Sequence, residues 1–142
     1  MLYAGWTLFV AGSMTGRGSG LYTPFGANPN YTGMQQLLFT NANEKAIGGS
    51  IAYSFERHFS GLSAGAWYTH GWDAINTSTN AGIPNQNELD LWIQYRPTEG
   101  PLKGFRLKMQ YGNVWQQGNA RNNQPELQFI VDYTVLFRPP PG

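Results

Sequence analysis

The sequence predicts an all-β protein, and more narrowly an antiparallel up-and-down transmembrane β-barrel of which six strands are present. Three observations support this. The 142 residues hold 12% charged and 15% aromatic side chains, whereas a soluble domain usually has about 25% charged residues. Hydrophobicity alternates with a period of two over six segments. The connections between these segments alternate between long and short.

Each of the six segments is about nine to eleven residues long, which is the length that a tilted strand needs to cross a bilayer. In chain order the predicted strands are residues 2–11, 47–55, 62–70, 89–96, 105–115 and 127–137. The apolar residues that define them are Leu2, Trp6, Leu8 and Val10 in the first, Ile47, Ile51 and Tyr53 in the second, Leu62, Ala64 and Tyr68 in the third, Leu89, Leu91 and Ile93 in the fourth, Phe105, Leu107 and Met109 in the fifth, and Leu127, Phe129 and Val131 in the sixth.

The connections predict that all long loops lie on one side of the sheet. Residues 56–61 and 97–104 are short connections, whereas residues 12–46, 71–88 and 116–126 are longer and rich in Asn, Gly, Ser, Thr and Pro. Membrane barrels have short periplasmic turns and long extracellular loops. With a last strand that runs toward the periplasm, the strand directions place all three longer connections outside the cell.

The composition of the polar face of each predicted strand favours a membrane protein over a soluble protein. This face carries Gly, Ser, Thr and Gln with few charges, unlike the surface of a soluble protein. The apolar face has aromatic residues near the strand ends, as membrane barrels do at both interfaces. The alternative is a soluble β-sandwich or small β-barrel that binds an apolar ligand. A protein that is stable and monodisperse without detergent would favour that alternative.

Six strands leave two unpaired edges, which are very costly in hydrocarbon. Either more strands or several copies must therefore close the barrel. The first residues carry neither a basic stretch nor a small-residue cleavage site. We expect the chain to be the C-terminal part of a longer protein, with residues 1–137 forming the last six strands and residues 138–142 a short Pro-rich tail.

Four segments of the sequence resemble the OprD-family porins of Gram-negative outer membranes. They are residues 43–55, 61–71, 87–104 and 126–137, and the third and fourth are the most specific. The resemblance implies an eighteen-stranded monomeric barrel, often assembled as a homotrimer, that passes small anionic or zwitterionic solutes such as carboxylates, amino acids and peptides by diffusion. It implies contact with the lipid bilayer and lipopolysaccharide, and recognition by the outer membrane assembly machinery. Members of the family usually end at the terminal aromatic residue that corresponds to Phe137, whereas here residues 138–142 follow it.

Side chains on the polar face are the candidates for lining the pore and guiding the solute. They are Asp90, Trp92, Gln94, Arg96, Arg106, Lys108, Gln110 and Asp132. Arg106 and Lys108 point the same way because they are two residues apart, and they resemble the family's basic ladder. The alternative is that these charged side chains form a structural network of ion pairs that holds the wall.

A symmetric turn at 97–104 would set Trp92 beside Lys108, Asp90 beside Gln110 and Tyr95 beside Phe105. A regular next hairpin would set Lys108 opposite Asp132, which would leave Arg106 as the freer cation. We expect the inward-folded loop that narrows such pores to lie outside this chain.

Other chemistry is not indicated. The chain has no Cys, and its net charge of +1 excludes a strongly basic nucleic-acid binder. Ser60, His70 and Asp73 have the residue types of a hydrolase triad, but Ser60 does not lie in a G-x-S-x-G motif. His58 and His70 have no carboxylate at ligand spacing. We therefore predict no enzyme, catalytic residue, metal or cofactor.

Overall fold

The computed structural model describes residues 5–21 and 31–134, apart from the side chains of residues 119–123. Six antiparallel strands form one sheet in which every strand pairs with its neighbours in chain order. The strands are β1 (Trp6–Met14), β2 (Lys45–Ser54), β3 (Leu62–Trp72), β4 (Gln86–Tyr95), β5 (Phe105–Gln116) and β6 (Asn119–Tyr133). The all-β antiparallel prediction is confirmed. Within the described residues no helix is long and apolar enough to cross a membrane.

Most strand boundaries differ from the prediction by a few residues, and the start of β6 differs most. β1 continues to Met14, and residues 2–4 of the predicted strand lie outside the described residues. The predicted loop at 116–126 is wrong, because β5 and β6 continue to a tight turn at Gln117 and Gly118. Gly118 has a φ of 79°, which glycine adopts without strain. Phe137 and the Pro-rich tail also lie outside the described residues.

The apolar face of the sheet is uncovered in the described part of the chain. Leu8 and Val10 in β1 and Phe129 in β6 are each more than two-thirds exposed, at 72%, 76% and 72%. Met109, Val131 and Tyr133 are exposed as well, and no second sheet covers them. The soluble sandwich requires such a second layer, so this arrangement disfavours it.

Aromatic rings lie near both ends of the apolar face. At the end with the short turns, Trp6 and Tyr53 have ring centroids 4.7 Å apart, and Phe105 and Tyr133 have centroids 4.8 Å apart. At the end with the long loops, Tyr68 and Trp115 are 6.1 Å apart. Two aromatic bands that flank an aliphatic zone are typical of a barrel surface in a bilayer.

Buried residues are concentrated on the opposite face, near the long loops. This polar face carries the alternate residues Asp90, Trp92 and Gln94 of β4 and Lys108 and Gln110 of β5. The buried apolar side chains are Phe39, Ala42, Ala46, Ala74 and Val114. Three of these come from the long connections rather than from the strands, so the small core lies where loops pack on the sheet.

Candidate pore wall and inward loop

Residues 31–44, named here the inward loop, fold back over the polar face instead of extending away from the strands. Phe39 is only 2% exposed, and the Ser13 and Thr32 hydroxyls are 2.7 Å apart in a hydrogen bond between β1 and the loop. The Thr15 hydroxyl donates to the Asn41 and Glu44 carbonyl oxygens. These contacts fix both ends of the loop against the wall.

Two carboxylates of β4 hold the middle of the inward loop. Glu88 accepts hydrogen bonds from the Gln36 and Leu37 backbone N–H groups, both at 2.7 Å. Asp90 accepts one from the Gln35 N–H at 3.0 Å. The Met34 N–H donates to the Leu37 carbonyl at 2.8 Å, which closes residues 34–37 into a tight turn. Carboxylate bonds to N–H groups are stronger than neutral ones, so this contact orders the turn.

Glycines on the wall make room for the inward loop. A Cβ atom at Gly112 would lie 2.8 Å from Asp90 Oδ1 and 3.0 Å from Gln35 Oε1. A Cβ atom at Gly71 would lie 2.5 Å from the Phe39 ring. Such distances are shorter than van der Waals contact, so a larger residue at either position would displace the loop.

The connection between β3 and β4, residues 73–85, braces the base of the inward loop. Lys45 and Asp73 form an ion pair at 2.8 Å, and the Ile75 N–H donates to the Ala42 carbonyl at 2.9 Å. Glu44 is buried beside this contact. Burial raises the pKa of the Glu44 carboxyl, and hydrogen bonds from the backbone and side chain of Asn41 partly oppose the rise.

The predicted register between β4 and β5 is wrong by two residues. Tyr95 faces Leu107 and Gln94 faces Lys108, so Trp92 lies opposite Gln110 and Asp90 opposite Gly112. The Arg96 N–H bonds to the Gly61 carbonyl at 2.8 Å, and Pro97 has no N–H to donate. The pairing of β4 with β5 therefore ends at Tyr95. A shift of two residues preserves the faces, because side chains alternate with a period of two.

The predicted pairing of the charged side chains is also wrong. Asp132 pairs with Arg106, whose Nη2 lies 2.6 Å and whose Nε lies 2.9 Å from Asp132 Oδ2. Lys108 lies opposite Ile130 instead of Asp132. Arg106 is thus locally neutralised in a structural ion pair, and it is not the freer cation.

Lys108 forms no ion pair with any side chain that the structure describes. Its Nζ lies 5.7 Å from the centroid of the Trp92 ring. Beside it is a cleft of about 420 Å³ between the wall and the inward loop. The cleft is lined by Met34, Gln35, Trp67, Asp90, Trp92, Lys108 and Gln110, among others. This arrangement can attract an anion and hold an apolar ring against indole faces.

The remaining predicted pore residues are spread along the same wall. Gln94 and Gln110 are half-buried on the polar face, whereas Arg96 is exposed at the short-turn end. Asp90 contacts the inward loop. Glu88 was missed because the sequence pattern assigned it to a loop. The signal that could have found it is the pair of Glu88 and Asp90, two carboxylates two positions apart and therefore on the same face of a strand.

An inward-folded segment therefore lies within this chain, although we expected one only outside it. Composition indicated a loop at residues 12–46 but carried no sign of its direction. The contact between Gln36 and Glu88 joins residues far apart in the sequence, so local patterns do not reveal it.

Several solved porins of Pseudomonas aeruginosa share this fold. OpdQ is 25% identical with a TM-score of 0.80, and the match covers 94% of this chain and 36% of OpdQ. OpdK, crystallised with vanillate, is 21% identical with a TM-score of 0.79 and is matched over 92% of this chain and 34% of its own. OccK9 (OpdG) is 24% identical with a TM-score of 0.78, over 91% and 33%. The chain thus spans about a third of the length of these porins.

No curated protein sequence matches the chain significantly. The sequence model of the OprD family of outer membrane porins matches residues 15–137, which is most of the chain. The order of the strands, the uncovered apolar face and the inward loop agree with this assignment. The chain belongs to the OprD family of outer membrane porins.

Proposed function

We propose that this chain forms part of the wall and the constriction of a passive outer membrane channel for small solutes that carry a carboxylate. The observation that carries the proposal is Lys108, a cation without an ion-pair partner among the described side chains, placed at a cleft beneath the inward loop. Charges and constrictions in the lumen determine which solutes a channel passes. The channel has no turnover and needs no cofactor.

The cleft favours solutes that combine a carboxylate with a flat apolar part. Lys108 supplies the positive charge, and Trp67 and Trp92 supply the apolar walls. OpdK was crystallised with vanillate, an aromatic carboxylate. Its chemistry matches the lining of this cleft. Zwitterionic amino acids and short peptides also carry the carboxylate that Lys108 would attract.

The proposal extends to the assembly. Residues 1–137 form the last six strands of a barrel of about eighteen strands, a strand number taken from the family resemblance, and residues 138–142 follow it as a tail. The apolar face contacts the bilayer and lipopolysaccharide, the outer membrane assembly machinery inserts the barrel, and the barrels associate as homotrimers. The exposed Leu8, Val10 and Phe129 support the lipid contact.

Three solutes of nearly equal size test the proposed selectivity. The intact channel is reconstituted in liposomes, and the influx of benzoate, benzyl alcohol and benzylammonium is compared after the influx into protein-free liposomes is subtracted. We expect benzoate to enter fastest and benzylammonium slowest. The three solutes share a phenyl ring and differ mainly in charge, which is negative in benzoate, zero in benzyl alcohol and positive in benzylammonium. Equal rates for the three would contradict the selectivity.

The channel activity itself needs a separate test. The protein is added to a planar bilayer and single-channel current is recorded. We expect stepwise, persistent currents without any added cofactor. Absence of current, together with a monodisperse protein in detergent-free buffer, would support the soluble ligand-binding alternative.

A further inference from the structure

Glu88 and Asp90, named here the carboxylate latch, make an unusual contact for two acids. Together they accept hydrogen bonds from three consecutive backbone N–H groups, those of Gln35, Gln36 and Leu37. The Glu88 side chain is fully buried. No cation forms an ion pair with either carboxylate among the side chains that the structure describes. The negative charge of the latch is therefore compensated mainly by the N–H groups of the turn.

The surroundings of the latch contain few other charges. Lys108 on β5 and Glu126 on β6 are close enough to act on Asp90 electrostatically. Glu44 is the described acid within the inward loop itself, and Thr69 is the β3 residue opposite Glu88. His70, on the same strand, bonds to Asn87 on the opposite face of the sheet. The latch carboxylates are thus the acidic groups that directly contact the turn.

From this geometry we propose that the carboxylate latch is a proton-sensitive device that holds residues 34–37 inward at neutral pH and releases them on acidification. A protonated carboxyl loses its charge and presents an O–H where it had an acceptor. Its charge-assisted bonds to the backbone N–H groups are then lost or weakened. This inference rests on the proposed channel function, because release of the turn would widen the pore.

The motion is confined to a short segment. Thr32 is bonded to Ser13 on one side of the turn, and Phe39 is buried on the other. Phe39 has a φ of 53°, an uncommon value for a residue other than glycine. The ion pair between Lys45 and Asp73 braces the base of the loop independently of the latch. The Gln36 side-chain amide also donates to the Gln124 carbonyl on β6 at 3.0 Å, and this exposed hydrogen bond has to break together with the latch for residues 33–38 to leave the wall. The rest of the inward loop then stays attached.

The first test follows conductance as a function of pH. Single-channel conductance of the intact channel is measured between about pH 7.5 and about pH 3, a range that spans the ordinary titration of carboxyl groups. We expect the wild-type conductance to rise on acidification. Glu88→Gln and Asp90→Asn should raise it at pH 7.5 and flatten the response. Glu126→Gln is the control, because Glu126 bonds to Gln128 and not to the loop and acts on Asp90 only through its charge; it should retain the response with the midpoint moved to lower pH.

The second test detects the turn without requiring conduction. Hydrogen exchange of amides 35–37 is measured in the detergent-solubilised wild-type protein and corrected for the intrinsic effect of pH. We expect exchange to accelerate at least about tenfold at acid pH, the factor for losing one charge-assisted hydrogen bond. Amide 75, which bonds to the Ala42 carbonyl, should remain protected.

The two tests separate the latch from the channel function. Unchanged exchange of amides 35–37 across the pH range would overturn the latch, whatever the conductance does. Faster exchange without any current at any pH would leave the latch intact and contradict the channel. A wild-type conductance that is independent of pH, or one whose response survives in Glu88→Gln, would contradict control of the pore by the latch.

Discussion

Lys108→Gln tests which cation makes this wall attractive to anions. Lys108 has no ion-pair partner among the described side chains, whereas Arg106 is paired with Asp132 at 2.6 Å. Removing Lys108 should therefore change selectivity. Removing the pair as a unit through Arg106→Gln with Asp132→Asn should change it little, because the net charge of the wall stays the same.

The size of the effect follows from Coulomb's law. A carboxylate that passes about 5 Å from the Lys108 Nζ gains about 1 kcal/mol in water, and about 3 kcal/mol at the effective dielectric constant of a protein surface. The channel is filled with water, so the lower value applies. It corresponds to a fall of about fourfold in anion permeability and, because an equal repulsion of cations is lost as well, of about sixteenfold in the ratio of anion to cation permeability.

Reversal potentials in a salt gradient across a planar bilayer give this ratio directly. We expect the loss in Lys108→Gln at about 0.1 M salt and a much smaller one at about 1 M, where the Debye length is about 3 Å. An unchanged ratio in Lys108→Gln would refute the reasoning. An equal loss in the double variant of Arg106 and Asp132 would refute it too.

Three further predictions concern stability, measured as the free energy of unfolding in urea with the protein in lipid vesicles. Met109→Arg on the apolar face should cost about 2–4 kcal/mol, whereas Gln110→Arg on the polar face should cost far less. Burial raises the pKa of Glu44, so the folded protein binds this proton more tightly than the unfolded chain. Stability should then fall as pH rises from the ordinary glutamate pKa through the raised one, and Glu44→Gln should remove that slope. Hydrogen bonds from Ser60 and from the Gly61 N–H lower the pKa of Glu56. The contribution of ionised Glu56 to the free energy of unfolding should be fully present above the ordinary glutamate pKa and should be lost as pH falls through the lowered pKa. Glu56→Gln should abolish this loss. Equal costs at positions 109 and 110, or pH slopes that persist in the Gln variants, would contradict these assignments.

The strands and their faces could be predicted from the sequence because a period of two is a local property. Each strand needs only its own residues to show which side is apolar, as Leu91 and Ile93 against Trp92 and Gln94 do in β4. The polar stretch at 116–126 was mistaken for a loop for the same reason. A strand with polar residues on both faces has no alternation of hydrophobicity, so composition alone does not distinguish it from a loop.

Register and loop direction depend on contacts that the local pattern does not contain. The β4–β5 register pairs Tyr95 with Leu107, an offset that the residues of the connecting turn do not reveal by themselves. The exchange of ion-pair partners, from Lys108 to Arg106 for Asp132, follows from the β5–β6 register, in which Arg106 lies opposite Asp132. The inward loop depends on Glu88 meeting Gln36 and Leu37 across the fold.

The central claim is that the apolar face touches acyl chains while the polar face touches water. Because the sequence contains no Cys, single cysteines at positions 107 to 110 of β5 can carry a spin label. Collisions of each label with oxygen, which concentrates in lipid, and with a water-soluble nickel chelate are then measured in vesicles. We predict that positions 107 and 109 respond to oxygen and positions 108 and 110 to the nickel chelate. Equal responses at all four positions, or nickel accessibility at 107 and 109, would contradict the account.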